Sequence, residues 1–342
     1  MFTSPAHTGP ARGLSRRQLL RAAGAAGMVG AAGLAAGRGA LAAGPLREIK
    51  LAWNANAVCL SAVPVAIERG IFEKHGLKVD LVNFSGSTDQ LLESIATSKA
   101  DAGVGMIHRW LKPLESGFDV KLVGSSHGGC SRLVGYAPAG VTSLKALKGK
   151  TIAVSDLNSP GKNFFSVLLV KSGLDPEKDV NWRQFPGDML GVAVEKGEAH
   201  AIADGDPNLF LIERRTKGLV ELATNLSGEY ATKTCCVLGV SGKLVRTEKP
   251  VAAALARSIN EASDFIANYP NETAKIYSPY SKVPVEDLRA VLGTLTHKHH
   301  PSGNALRQEI EFYARDFKLV GVLKPSTDPA RFAAHVHGDV LS

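Results

Sequence analysis

Ile49-Lys50-Leu51-Ala52-Trp53, then Val63-Pro64-Val65-Ala66-Ile67-Glu68-Arg69-Gly70-Ile71-Phe72-Glu73-Lys74-His75-Gly76-Leu77-Lys78-Val79, reads as strand, helix and strand. The first run is apolar and strand-length. The second carries proline only where a first helical turn tolerates it, and it stops at a glycine that can take a left-handed conformation. Residues 77–84 then alternate as a second strand.

Outward from this unit, short apolar runs keep alternating with amphipathic stretches, the pattern of a parallel α/β architecture. Ser87-Thr88-Asp89-Gln90 matches a helix capping box, with Leu91, Leu92, Ile95 and Ala96 on one apolar face. Strands are expected at 102–105 and 120–124, with a helix at 106–116 between them. A second series opens with a strand at 151–154 and a helix from Ser159-Pro160 to Gly173. It continues with strands at 180–185 and 199–203, and helices at 189–196 and from Asp206-Pro207 to Gly218. After Cys235 the chain becomes largely helical, at 250–268, 285–294 and 305–317. A discontinuous first lobe accounts for this change: 130–136 carries the chain out and 236–240 brings it back, as two adjacent hinge strands.

The 342 residues carry a formal net charge of +8. Ser15-Arg16-Arg17-Gln18-Leu19-Leu20-Arg21, an Ala/Gly-rich run and Ala40-Leu41-Ala42 form a twin-arginine signal peptide over 1–42, cleaved on export. Its five arginines and lack of acids leave +3 on the mature chain. No basic stripe with interleaved aromatics survives, so nucleic acid is not an expected partner. Roughly three hundred residues remain, enough for two lobes.

The quoted segment 63–79 resembles the opening of the nitrate/sulfonate/taurine-type substrate-binding proteins of ABC transporters. Ser143-Leu144-Lys145-Ala146-Leu147-Lys148-Gly149-Lys150-Thr151-Ile152-Ala153-Val154 is similar to that family's entry into its second lobe. Ala193-Val194-Glu195-Lys196-Gly197-Glu198-Ala199-His200-Ala201 is similar to its later helix-turn-strand. The resemblance implies a type II periplasmic binding protein, α/β, with two lobes, each a mainly parallel sheet flanked by helices, joined by two hinge strands. The lobes are expected at 43–130 plus 236–342 and at 131–235. The implied function is capture of a small solute in the interlobe cleft and delivery to an inner-membrane ABC permease, by a periplasmic monomer that is not an enzyme and has no cofactor. Two rivals stand beside this reading: a thiamine-precursor-type enzyme or binding protein with a Cys/His-lined cleft, and a periplasmic sensory module.

Ligands of open parallel sheets sit at the carboxyl ends of strands, near helix N-termini that favour anions. Candidates there are Asn54, Asn56, Ser85, Ser87, Thr88, Met106, His108, His127, Asn158, Ser159 and Asp204. Against each stands a plainer role: Ser87, Ser159 and Asp206 as helix caps, the asparagines as turn residues, His108 and Arg109 as solvated groups. No GxSxG, HExxH, Walker or dinucleotide fingerprint is present, and no CxxC. The four cysteines permit a disulfide from Cys130 to Cys235 or Cys236, or buried free thiols. In a third reading Cys59, His127 and Cys130 form a soft-metal or thiol-reactive site. His297-Lys298-His299-His300 is expected to be a solvated loop, and no metal site is assigned.

Overall fold

The computed structural model describes residues 45–84 and 88–342, without the side chains of Thr88 and Asp89. The leader and Ser85 and Ser87 lie outside the described residues.

In chain order, the first series is β1 (Arg47–Trp53), a 3-10 turn (Val58–Leu60), α1 (Ala62–Glu68), α2 (Ile71–Lys74), β2 (Leu77–Asn83), α3 (Thr88–Ala96), β3 (Ala102–Met106), α4 (Ile107–Glu115) and β4 (Val120–His127). The second is β5 (Ser131–Tyr136), β6 (Lys150–Val154), α5 (Pro160–Lys171), β7 (Val180–Gln184), α6 (Leu190–Glu195), β8 (Ala201–Gly205), α7 (Asn208–Arg215) and β9 (Leu219–Thr224). The chain then runs through β10 (Cys236–Ser241), α8 (Gly242–Thr247), α9 (Lys249–Asn268), α10 (Pro270–Ser281), α11 (Val285–Leu292), α12 (Gly303–Leu319) and α13 (Pro329–Val336). Gly70 takes the left-handed conformation, φ +61°, that a stop between α1 and α2 requires. Ser159 accepts the Lys162 N–H at 3.1 Å as the cap of α5.

Two mixed five-stranded sheets result, in the orders β2-β1-β3-β10-β4 and β7-β6-β8-β5-β9. In each, three leading strands run parallel and the fourth position holds one reversed strand. Those reversed strands are the two that follow the crossings, so β5 and β10 occupy equivalent places in different sheets. The expectation that they lie side by side is therefore corrected: each is hydrogen-bonded into its own sheet, and the crossing points, not the strands, are neighbours. The strand β9 and the helices α10 and α13 also went unread in the sequence. Pro270, Pro279 and Pro329 hid the two helices, although Pro270 and Pro329 sit in first turns, where proline costs no hydrogen bond.

Burial follows the strand period. In the second sheet Val134, Ala153 and Ile202 face a core capped by Leu190, Val194, Leu209 and Ile212 of α6 and α7. Their neighbours Leu133, Ile152, Val154, Ala201 and Ala203 face the opposite side with Phe164 and Phe165 of α5. In the first sheet β3 is buried throughout. At Gly239 of β10 the Trp110 ring lies where a Cβ would sit, 2.6 Å from its ideal position, so glycine lets α4 approach the sheet.

Candidate functional site

The parallel strands of both sheets point their carboxyl ends at one small cavity of about 110 Å³. Asn54 follows β1, Cys59 comes from the 3-10 turn, Met106 ends β3 and Arg109 stands on the first turn of α4. Cys130 precedes β5 and Asp206 follows β8. Groups from both sheets therefore share one lining, which is where open α/β sheets bind ligands. The Val58 N–H donates to the Asp206 carbonyl at 3.2 Å, and the Asp206 N–H to the Cys130 carbonyl at 2.8 Å, tying the walls together. A larger hollow of about 480 Å³ opens at the other end of the first sheet. Two of its lining charges are held in exposed ion pairs, Glu248 with Arg47 and Asp119 with Arg246, both at 2.8 Å.

Arg132 of β5 organises one wall. Its Nε donates to both Asp206 oxygens at 2.9 and 3.0 Å, one Nη to Glu221 at 2.8 Å, and the other Nη to the Thr294 hydroxyl at 2.9 Å beyond α11. Burial pushes the Asp206 carboxyl up to about 6 although Arg132 pulls it back, and it pushes Glu213 up to about 7 with help from Asp206 and Glu221. The guanidinium of Arg109 stacks over Phe84 at 5.7 Å.

The cavity floor is made of sulfur. The ligand atoms of Cys59, His127, Cys130 and Cys236 all lie within 4.8 Å of one another, and all four residues are buried. The Cys235 thiol adjoins them, 3.4 Å from Cys130 Sγ and 3.8 Å from Cys236 Sγ. Gly129 and Cys130 both have positive φ, +94° and +101°, which for cysteine is an uncommon conformation held by its surroundings. Cys235 is pinned through its backbone: its N–H donates to the His127 carbonyl and its carbonyl accepts from Ile107, each at 2.7 Å. The Asn225 side chain accepts the Ser131 N–H at 2.9 Å, which turns its amide toward Cys235 Sγ at 3.0 Å. Burial raises a lone thiol, but hydrogen bonds from Cys130, Cys236 and Asn225 outweigh it and draw Cys235 down to about 6. Hydrogen bonding to Cys235 holds Cys130 at about 11.

The sequence candidates divide. Asn54 and Met106 line the cavity and His127 joins the sulfur floor. Asn54 also accepts the Asn56 N–H at 2.9 Å, and Asn56 itself is exposed. Ser85 and Ser87 fall outside the described residues, as does the side chain of Thr88. His108 sits in an aromatic cage of Phe164, Tyr313 and Phe317, where burial lowers it to about 3. It is buried in packing, outside the cavity lining, and is neither the ligand-contacting candidate nor the solvated group read from the sequence. Asn158 is exposed and Ser159 caps α5, so Pro160 is the residue of that loop that reaches the cavity. The Asp204 carboxylate is taken by the Ser155 hydroxyl at 2.8 Å and the Asn208 amide at 2.7 Å; Asp206, its own carboxylate held by Arg132, is the aspartate that lines the cavity.

All four cysteines are free thiols, with the Cys130–Cys235 pair within reach of bridging. The 297–300 segment is not a solvated loop throughout: His297 is buried and stacks on His127 at 5.2 Å, while His299 and His300 pair with Glu309 and Asp264 at 2.8 and 2.9 Å. Arg109, read from the sequence as a solvated group, instead lines the cavity; it follows Met106 by three residues, the spacing that places both on one side of a helix start.

A model of the family described as NMT1/THI5 like matches residues 60–273. Proteins of Brucella abortus and Brucella suis, named only as candidate binding proteins, are 28% identical over 230 residues, 67% of this chain and 70% of theirs. Among solved structures, the alkanesulfonate-binding protein SsuA of Xanthomonas axonopodis pv. citri, bound to MOPS, superposes with a TM-score of 0.69 at 18% identity, covering 84% of this chain and 98% of that one. The periplasmic nitrate-binding protein NrtA of Synechocystis gives 0.72 at 14% identity, covering 85% and 86%. The aliphatic sulphonate binding protein SsuA of Escherichia coli gives 0.71 at 14%, covering 84% and 91%. The shared architecture is that of type II periplasmic binding proteins.

Proposed function

The chain belongs to the NMT1/THI5-like family, and on that premise we propose that it is the solute-capturing component of an ABC importer. It closes two lobes on a small solute and presents the closed form to a membrane permease. The observation that carries this reading is a cavity lined from the strand ends of both sheets, since a solute there contacts both lobes only when they are together. We take the lobes as 43–130 with 236–342 and as 131–235, because every strand of the second sheet falls within 131–224.

A compact anion suits the cavity: Arg109 lines it and the start of α5 adjoins it at Pro160. Fold relatives named for alkanesulfonate and for nitrate also point to anions. The Arg16-Arg17 leader supports export to the periplasm by the twin-arginine route. No helix among the described residues is long and apolar enough to cross a membrane. We take the protein to meet its permease as a separate monomer.

Native mass spectrometry of protein recovered from the periplasm weighs any retained solute, and calorimetry with nitrate and short alkanesulfonates ranks anions. Binding of one anion per chain, lost in Arg109→Ala with the fold intact, is the expected result. Steady conversion of the bound solute would replace this reading with an enzyme built on the thiol-lined cavity.

A further inference from the structure

We propose that Cys59, His127, Cys130 and Cys236 form a binding site for one thiophilic d10 metal ion, Zn(II) or Cu(I), at the floor of the interlobe cavity. Four donors from three separate segments converge: the 3-10 turn after β1, the end of β4 with the crossing that follows it, and the first residue of β10. Tetrahedral zinc bonds of about 2.0–2.3 Å put neighbouring ligand atoms roughly 3.3–3.8 Å apart. A group already within 4.8 Å needs only small side-chain rotations to reach that spacing.

The imidazole is set up for the task. His127 Nδ1 lies 2.9 Å from the Gly128 carbonyl, which can only accept, so Nδ1 carries the proton. That leaves the Nε2 lone pair available, and Nε2 is a buried atom with no hydrogen-bond partner among the described residues. A ring held by a backbone carbonyl at one nitrogen and open at the other is the usual support of a metal-ligating histidine. Apolar packing of cysteines does not account for a polar atom left unsatisfied beside three thiols. Three thiolates and a neutral imidazole are a soft donor set that selects zinc or monovalent copper over hard cations. Cys59 and Cys130 line the cavity, giving the ion a way in. Binding replaces the thiol protons, so loading releases protons and strengthens with pH. The ion would also pin both chain crossings to the first sheet, since His127 and Cys130 stand at the outgoing one and Cys236 at the returning one.

The test uses the purified protein, reduced and stripped with chelator under nitrogen. Zn(II) and Cu(I) are titrated separately against chromophoric competitors, and Co(II) serves as an optical probe of tetrahedral thiolate ligation. One equivalent per chain is expected, with a sulfur-to-cobalt charge-transfer band. His127→Gln and Cys130→Ser should each weaken binding at least tenfold, and Cys235→Ser should leave the stoichiometry at one. Because these positions are buried, circular dichroism checks each variant. A second readout needs no substitution: in the wild-type protein, bound ion should protect Cys59, Cys130 and Cys236 from alkylation. Zinc taking all four donors or copper taking fewer both support the site. Folded, fully reduced protein that binds neither ion, or whose affinity is unchanged in His127→Gln and Cys130→Ser, overturns it.

Discussion

Cys130 Sγ lies 3.4 Å from Cys235 Sγ across 105 residues of chain, so the point where the polypeptide leaves the first sheet and the point where it returns meet as a pair of thiols. A disulfide needs about 2.05 Å, within reach of small side-chain movements. We expect a mild oxidant such as diamide, itself reduced to the hydrazine, to take two electrons and two protons from this pair and join Cys130 to Cys235. Alkylation before reduction, followed by peptide mapping, should find Cys59 and Cys236 free. A bridge involving Cys59, or four free thiols after oxidation, would sink this expectation. Prior loading with Zn(II) should slow the reaction.

Gly239 provides a packing test. A methyl group there would meet the Trp110 ring at 2.6 to 3.0 Å, and that ring is fully buried and cannot swing aside. Gly239→Ala should therefore cost about 1–3 kcal/mol through overpacking. Urea unfolding measures it, and a loss below a few tenths would mean that α4 shifts freely.

The carboxylates around Arg132 set a pH dependence. Burial holds Glu213 at about 7, above the unfolded range near 4. The folded protein thus binds the proton more readily, and the favourable contribution present below that range is lost as pH rises through about 7. Buried His108, lowered to about 3, acts in the opposite sense, because the unfolded state takes up its proton as pH falls through the ordinary histidine range. The informative quantity is the difference between wild type and Glu213→Gln. The variant should be the more stable at pH 8, by about 1–3 kcal/mol once the shift is discounted for Glu213's partial exposure, with the gap closing toward pH 5. A gap independent of pH would refute the assignment.

Export is tested in the leader. Replacing Arg16-Arg17 by Lys-Lys should strand the precursor in the cytoplasm, because the twin-arginine receptor reads the pair itself. Fractionation and immunoblotting decide; normal periplasmic accumulation would point to the general secretory route.

Much of the architecture was legible in the sequence because it is local. The strand at Ile49–Trp53, the glycine stop at Gly70 and the Ser159-Pro160 helix start depend on residues within one or two turns of each other. The alternation of strand and helix announces parallel sheets, and with them the strand ends that hold the cavity. Asn54, Met106 and His127 were reachable by that rule alone. The tertiary structure decided what lies opposite what. It put β5 and β10 in different sheets as the reversed strand of each, caged His108 in aromatic rings and turned Asp206 rather than Asp204 toward the cavity. It also gathered Cys59, His127, Cys130 and Cys236 from positions up to 177 residues apart. Periodicity and capping encode the partners of a residue along its own element, whereas contacts across the sheets arise only when hydrophobic burial fixes how the elements pack.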